Sequence, residues 1–357
     1  IGGAKASEKT LITRFGEAGK TEFRRCEKAA VNFVADLIAR HDIEADCHSK
    51  GETVLAHRPR DMTALRRQAA DIKNDYGVEA RYITAVHLSA HGLTRPFHGT
   101  LTIPIGVALN PRKYANGLLG VAQSAGAKVF AHSPVTGLEK HQTFCLNTPQ
   151  GQITAEKVIF ATNGYSSDQL PDWMRGRYLP VQSSIIVTRP LTGEEQAAQG
   201  WTSPQMAFDS RELLHYFRLM PDGRFLFGMR GGIFATARAN RAAARKIKAD
   251  FRQMFPAWSD IDITDHWSGL VCLTRNLTPY IGPVPNLSGA FAGFAWQGNG
   301  IAMGNYAGTI LADLLQNKTS RRSYPAALKT IPNCFPAAPF RHHLLRPTQA
   351  ELALEDL

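Results

Sequence analysis

The sequence predicts an α/β plus α+β architecture, with a parallel-type layer and an antiparallel sheet interleaved along the chain. Asn110 stands as an N-cap before Pro111 at the first helical position. The helix then runs through Tyr114, Leu118 and Ala122 to Gly126, and a strand, Lys128-Val129-Phe130, follows at once. Lys157-Val158-Ile159-Phe160-Ala161-Thr162 is a continuous apolar run of the kind buried in parallel sheets, and it leads into Asn163-Gly164. Gln182 to Thr188 and Leu213 to Gly228 are rich in β-branched and aromatic residues, and Asp222-Gly223 supplies a hairpin turn. These predict the separate antiparallel sheet.

The remaining elements follow in order. Ser7 opens a helical pattern in which Leu11, Ile12, Phe15, Phe23, Phe33, Val34, Leu37 and Ile38 recur mostly at three- and four-residue steps, giving one or two packed helices. Thr53-Val54-Leu55-Ala56 reads as a strand, and a helix from about Asp61 carries Leu65, Ala69, Ile72 and Tyr76 before stopping at Gly77. Val78 to Leu109, broken by Pro96, Gly99, Pro104 and Gly106, suits short strands and loops. Strands from Val135 to Glu139, Thr143 to Asn147 and Ile153 to Ala155 form an antiparallel meander. A helix from about Asn240 to Phe255 stops at Pro256, and the last good helix runs from about Gly300 to Gln316, ahead of a basic, Pro-rich tail. On the strand around Tyr216, alternation puts Tyr216 and Arg218 on one face and His215 on the other.

A chain of 357 residues, 44% hydrophobic and 20% charged, is ordinary globular material and long enough for two intertwined domains. No run of about 18 apolar residues occurs, so no segment is expected to span a membrane. Cys26, Cys47, Cys145, Cys272 and Cys334 show neither metal-ligand spacing nor a CxxC pair, so the expectation is no metal site and a reducing, cytoplasmic setting. Ile1-Gly2-Gly3 carries no initiator Met and no signal-peptide pattern, and reads as the interior of a longer protein. The net charge of +11 is scattered rather than gathered, and basic-aromatic stacking patterns are absent, which argues against nucleic acid. An anionic cofactor or substrate accounts for part of the excess.

Four stretches, taken in order and spacing, resemble the D-amino-acid-oxidase superfamily, especially its glycine oxidase, sarcosine oxidase and γ-glutamylputrescine oxidase relatives. They are Asn110-Pro111-Arg112-Lys113-Tyr114 with Gly126-Ala127 and Val135; Val158-Ile159-Phe160-Ala161-Thr162-Asn163-Gly164-Tyr165; Leu179-Pro180-Val181 with Val187-Thr188-Arg189-Pro190-Leu191; and Trp267-Ser268-Gly269 through Pro279-Tyr280-Ile281-Gly282 to Gly298-Asn299-Gly300. The resemblance runs from Gly2-Gly3 to Pro339-Phe340-Arg341. It implies FAD as cofactor, held by a Rossmann-like, GR2-type domain that lacks its first βαβ unit and is interleaved with an antiparallel-sheet substrate domain. The implied cofactor domain covers 1–48, 97–175 and 262–320, the substrate domain 49–96 and 176–261, and a tail 321–357.

By the same resemblance Val135 lies against the adenine end of FAD, Ala161, Thr162 and Gly164 line the dinucleotide, and Gly2 and Gly3 follow the missing unit. Read from the residues alone, Val135 is a core strand residue and Asn163-Gly164 a turn. Gly298, Asn299, Gly300, Ile301 and Ala302 have a physical argument of their own: glycines let backbone approach a planar ring, and a helix N-terminus offers unpaired N–H groups to an electron-rich acceptor. The resemblance makes that acceptor the pyrimidine edge of the flavin. Gly300, Gly304 and Gly308 share one helix face, suited to close packing. Trp296 and Gln297 precede the loop as aromatic and polar walls, or Trp296 as core.

Two departures shape the expected chemistry. No G-x-G-x-x-G follows a strand, so the isolated chain is expected to hold FAD poorly or not at all. Amino acid oxidases place an arginine shortly after a Gly-Leu step to pair with a substrate carboxylate, whereas here Gly269-Leu270 is followed by Val271. That shifts the expected substrate to an amine, a polyamine derivative or an N-substituted amine. Arg275 and Arg230 are the replacements at hand, with surface or structural roles the simpler reading. Cys272 is expected to be a buried, inert thiol. The expected reaction is oxidation of a C–N bond by hydride transfer to flavin, hydrolysis of the imine, and reoxidation by oxygen or another acceptor. Trp296, Gln297, Tyr216 and Arg218 are the catalytic candidates. The alternatives are an oxidase or dehydrogenase of glycine, sarcosine or a D-amino acid, and a non-catalytic fragment unable to hold FAD.

Overall fold

The computed structural model describes residues 4–94, 96–232, 234, 236–336, 341 and 356; Gly2, Gly3, Pro339 and Phe340 lie outside the described residues. Helix α1 (Glu8–His41) starts at Ser7, whose side chain accepts from the Thr10 N–H, and bends at Gly16, where φ is 70°. After it come β1 (Glu52–Leu55) and α2 (Asp61–Tyr76), which Gly77 closes in a left-handed conformation. Strands β2 (Arg81–Thr84) and β3 (Gly99–Ile103) precede α3 (Pro111–Ser124). The meander is β4 (Gly137–Lys140), β5 (Phe144–Thr148) and β6 (Gly151–Ala155), followed by β7 (Val158–Phe160). Then come β8 (Leu179–Pro190), α4 (Gly193–Gln199), β9 (Ala207–Asp209), β10 (His215–Leu219), β11 (Arg224–Gly232) and α5 (Ala237–Met254). The chain continues through β12 (Ile263–Leu273), β13 (Tyr280–Pro283), β14 (Ala290–Phe294), α6 (Gly300–Leu315) and α7 (Ala326–Lys329). No helix of the described residues is long and apolar enough to cross a membrane.

The chain has a mixed α/β fold, with three sheets among the described residues, and it divides into two compact units that interleave in sequence. The first comprises Ile1–Ala45, Pro111–Pro180 and Val271–Arg341. Its central sheet has the order β13-β14-β7, with β14 and β7 parallel, and a second small sheet is the β4-β5-β6 meander. Leu11, Phe23 and Ala30 of α1 pack with Met303, Tyr306 and Ile310 of α6 and Leu328 of α7, and a further core gathers Phe144, Phe160, Tyr178, Tyr280 and Phe294.

Three expectations fail in this unit. Lys128-Val129-Phe130 is not a strand: a strand needs a hydrogen-bonded neighbour, none lies alongside among the described residues, and Val129 and Phe130 are 53% and 64% exposed. The β7 run is not buried throughout. It is terminal in its sheet, and only Phe160 reaches the core, while Ile159 is 38% exposed. Val135 lies ahead of β4 rather than in it, and its side chain faces solvent.

The second unit comprises Asp46–Asn110, Val181–Leu270 and His342–Leu357. Its eight-stranded sheet has the order β12-β8-β11-β10-β9-β1-β3-β2, and the β1–β9 pair is parallel. The first boundary within the chain falls after Ala45, and the second after Asn110 rather than after residue 96, because β3 is hydrogen-bonded to both β1 and β2. One face of the sheet is an aromatic core. Phe217 stacks on Phe227 at 5.8 Å between centroids, Phe251 of α5 meets Phe227 at 5.7 Å, and Trp258 meets Phe225 at 4.8 Å. Burying such a ring is worth roughly 2–3 kcal/mol, so this cluster dominates the unit's packing.

A charged network is built into that core. His215 Nδ1 lies 2.9 Å from Asp209 Oδ2, its Nε2 lies 3.1 Å from Asp250 Oδ2 on α5, and its ring stacks on Phe227. Asp209 is fully buried and also accepts from the His215 N–H and from Arg211, while Lys246 donates to Asp250. Burial alone would lower the His215 pKa, but the hydrogen bonds to Asp209 and Asp250 outweigh it and raise the value. Burial pushes both carboxyls up, and their bonds to His215 outweigh it, leaving both below the ordinary range. The stability contributed by His215 is thus fully present below about pH 6.5 and lost as pH rises through its raised value, whereas that of the carboxylates is present above about pH 4 and lost on acidification. Unfolding followed from pH 4 to 9 should show His215→Ala destabilised by about 3–5 kcal/mol near pH 6, because two carboxylates lose their shared cation. The variant should also lack the alkaline decline that this group gives the parent.

Candidate active site

In the second unit, alternation along β10 sends His215, Phe217 and Leu219 into the core and leaves Tyr216 and Arg218 on the other face, partly buried. The turn at Pro221-Asp222-Gly223, with Gly223 at φ 80°, sets the register of the hairpin. Tyr216 lies opposite Gly228 and Arg218 opposite Leu226, so Arg230, two residues beyond Gly228, shares their face, with Ser183 of β8 beside it. The Tyr216 ring lies over Gly228, since a Cβ there would come within 2.2 Å of Cε2 and Cζ. The phenol then reaches Ser183 Oγ at 2.8 Å. Ser183 donates its single proton to the Met229 carbonyl at 3.1 Å, so Tyr216 is the donor in the shared bond and its oxygen keeps acceptor capacity.

The cations around this phenol have few partners. Arg218 Nη2 donates to the Leu109 carbonyl at 3.0 Å, but its Nε is buried with no partner among the described residues. Neither Arg218 nor Arg230 forms an ion pair among those residues, and Glu212, exposed, is the carboxylate whose field reaches Arg230. Burial lowers the pKa of both guanidiniums and raises that of Tyr216. His48 Nδ1 bonds to the Asp46 carbonyl at 2.8 Å, its Nε2 is buried without a partner among the described residues, and burial followed by the Arg218 charge lowers its pKa. The face therefore offers an acceptor oxygen among groups that favour anions.

In the first unit, the carboxyl ends of the parallel strands β7 and β14 adjoin, the position at which open α/β sheets take ligands. Asn163 Oδ1 accepts from the Ala295 N–H at 2.9 Å and ties the two strand ends together. Ala295, Gln297 and Gly298 all have positive φ, 64°, 55° and 102°. This irregular backbone delivers the chain to α6. Gln297 is buried: its N–H reaches the Cys272 carbonyl and its Nε2 reaches Thr274 Oγ1, both at 3.3 Å, while Oε1 has no partner among the described residues. Asn299 makes no side-chain cap, so the first-turn N–H groups of α6, those of Gly300, Ile301 and Ala302, stand at the positive end of the helix dipole. These donors fit an electron-rich carbonyl edge, such as a flavin presents.

The candidates fall into two groups. Ala161 and Thr162, exposed, and Gly164, buried, sit just past β7, and the Asn163–Ala295 bond brings them together with the segment from Trp296 to Ala302. Val135 is not part of that bonding, and Gly2 and Gly3 are outside the described residues. Trp296 packs against Gly293, Gly300 and Gly304, while Gly308 has open space in front of it, so the third glycine serves no close contact. Tyr216 and Arg218 belong to the second unit and share its sheet face. Burial pushes the Cys272 thiol up to about 12, which fits an inert group. Arg275 is exposed and donates to the Cys334 carbonyl at 3.3 Å.

Arg230 is half-buried and forms no ion pair among the described residues, so it is not the exposed surface residue that one of its two expected readings made it. Its place was recoverable from the hairpin, because pairing Tyr216 with Gly228 puts residue 230 on the Tyr216 face. Ser183 gave no comparable local signal, and Asn163, read as a turn residue with Gly164, gave none of its bond to Ala295. Gly228→Ala should force Tyr216 off the sheet and break its bond to Ser183. We expect a urea midpoint lowered by the equivalent of about 1–3 kcal/mol, with a changed tyrosine signal in near-UV circular dichroism.

The chain is 25% identical over 336 residues to a probable oxidoreductase OrdL of Haemophilus influenzae, covering 92% of this chain and 75% of that protein. It is 25% identical over 288 residues to the gamma-glutamylputrescine oxidoreductase of Escherichia coli, covering 81% of this chain and 66% of the relative. Among solved structures, iminodiacetate oxidase from Chelativorans superposes with a TM-score of 0.71 at 18% identity, covering 93% of this chain and 87% of that one. Glycine oxidase from Geobacillus kaustophilus gives 0.70 at 18% identity, covering 92% and 85%. Residues 2–314 match the family described as DAO, FAD dependent oxidoreductase, and the chain belongs to that family.

Proposed function

We propose that the chain oxidises the C–N bond of an amine, and the observation that carries this reading is the Tyr216 oxygen, an acceptor set among Arg218 and Arg230. Nearby guanidiniums disfavour a protonated ammonium and favour the neutral amine, the form able to release a hydride. Tyr216 accepts the amine N–H and fixes its orientation, so no side chain has to act as a strong base. The substrate carbon loses a hydride and its nitrogen a proton, a C=N bond forms, and water then converts the imine to a carbonyl compound and a free amine. FAD, when bound, supplies the two-electron acceptor, with oxygen or another oxidant taking the electrons onward.

In the first unit, the N–H groups of Gly300, Ile301 and Ala302, with Gly298 and Asn299, would hold the flavin's carbonyl edge, and Trp296 and Gln297 would wall it. Ala161, Thr162 and Gly164 would line the dinucleotide, with Val135 towards its adenine. The sequence contains no G-x-G-x-x-G after a strand, so pyrophosphate binding needs a further strand-turn-helix unit, and the chain alone holds FAD weakly. The edge of β7, which has no neighbour among the described residues, and the exposed Val129 and Phe130 are where such a unit would seat.

The family resemblance to gamma-glutamylputrescine oxidoreductase favours an amine, as does Val271 after Gly269-Leu270. Arg218 and Arg230 favour a second reading in which the amine bears a carboxylate. Absorbance spectra test the proposal: the chain, and a form joined to a G-x-G-x-x-G unit, are mixed with FAD and then with amines. The joined form should turn yellow and bleach with amine, with Tyr216→Phe slowing flavin reduction about 10–100-fold through the lost hydrogen bond. If neither form takes up FAD, the enzyme reading is wrong and a non-catalytic fragment remains.

A further inference from the structure

Helix α5 carries six cations and a single carboxylate. Arg238, Arg241, Arg245, Lys248 and Arg252 recur at alternate steps of three and four residues, so at roughly 100° per residue they share about 80° of arc and form a straight row about 21 Å long. The four arginines are exposed and Lys248 is half-buried. The other side of the helix belongs to the core, where Ile247, Phe251 and Met254 join Phe217, Phe225 and Phe227. Asp250 is turned away from the row, towards His215 and Lys246. Among the described residues none of the five cations of the row forms an ion pair, and Arg252 donates only to the Ser259 carbonyl at 3.1 Å.

Local physics opposes this arrangement. Like charges three and four residues apart destabilise a helix, and Arg238 and Arg241 stand near the N-terminus, where the dipole disfavours cations and no acidic residue occupies the first turn. An anionic partner outside the chain reverses both penalties. Ala242, Ala249 and Gln253 complete the exposed side, so it holds no aromatic ring to stack on a base. The phosphates of a duplex strand wind away from a straight row, whereas a bilayer surface meets all five cations at once. The apolar side is committed to the core, so the helix cannot insert and is held at the headgroups by charge.

We propose that α5 docks the second unit on an anionic lipid surface, its guanidiniums pairing with headgroup phosphates. The proposal is independent of the C–N oxidation above. Because α5 packs on the core face of the sheet, Tyr216 and Arg218 lie on the sheet's other side, away from the lipid.

Cosedimentation tests it, with vesicles of phosphatidylcholine alone and vesicles of equal parts phosphatidylcholine and phosphatidylglycerol. The chain should bind the mixed vesicles, be released by salt, and ignore the neutral ones. Replacing Arg238, Arg241, Arg245 and Arg252 together by glutamine, a good helix former, should weaken binding at least 100-fold, at about fivefold per cation. A control with the same net charge replaces the exposed Lys9, Lys50, Arg67 and Lys128 by glutamine. It should stay within about threefold of the parent, since charges more than a Debye length from the lipid count little. If circular dichroism shows the first variant unfolded, Arg241→Gln with Arg245→Gln carries the comparison, with a loss of about 25-fold expected. No binding to the mixed vesicles, or equal losses in the row variant and the control, would overturn the proposal. So would tighter binding of duplex DNA than of vesicles at equal phosphate concentration, lost in the row variant, which would assign the row to nucleic acid.

Discussion

The second unit depends on one constraint, the two-residue period of β10. A single strand must fill an aromatic core with Phe217 and Leu219 and, at the alternate positions, present Tyr216 and Arg218 on the opposite face. A slip of one residue would exchange the two sets and destroy both. Register is secured by the turn at Pro221-Asp222-Gly223 and, behind the strand, by His215 between Asp209 and Asp250, which anchors β10 to its neighbour β9 and to α5. The polar network in the core thus supports the polar face from behind.

Much of this was legible in the sequence because its signals are local. Ser7 as a cap, Gly77 as a stop, Pro111 at a helix start and Asp222-Gly223 at a hairpin each act within a few residues. The separation of Tyr216 and Arg218 from His215 follows from period alone. What escaped depends on partners distant in sequence. Val129 and Phe130 have strand propensity, but no strand pairs with them among the described residues. The place of β3 was set by β1, some fifty residues earlier by register, and not by its own composition. Ser183 and Asp250 matter only because β8 and α5 bring them to Tyr216 and His215.

The first unit solves a different problem, the delivery of backbone donors. Positive φ at Ala295, Gln297 and Gly298 is an unusual concentration of irregular backbone, and it is held by Asn163, by the Cys272 carbonyl and by Thr274. The helix that follows begins without a side-chain cap, so its dipole is spent on whatever lies in front of it. Motif reading found the glycines of this loop but not the residues that brace it, because a brace carries no fixed spacing.

The open side of β7 has a consequence for the chain as a colloid. A strand edge with no neighbour among the described residues and with Ile159 exposed, together with the exposed Val129 and Phe130 of the same unit, presents backbone groups and apolar surface to other molecules. A net charge of +11 opposes that attraction over distances of about a Debye length, roughly 10 Å at 0.1 M salt. Salt shortens the repulsion and leaves the edge untouched, so the tendency of the chain to self-associate rises with ionic strength, the reverse of what an assembly held by opposite charges would do.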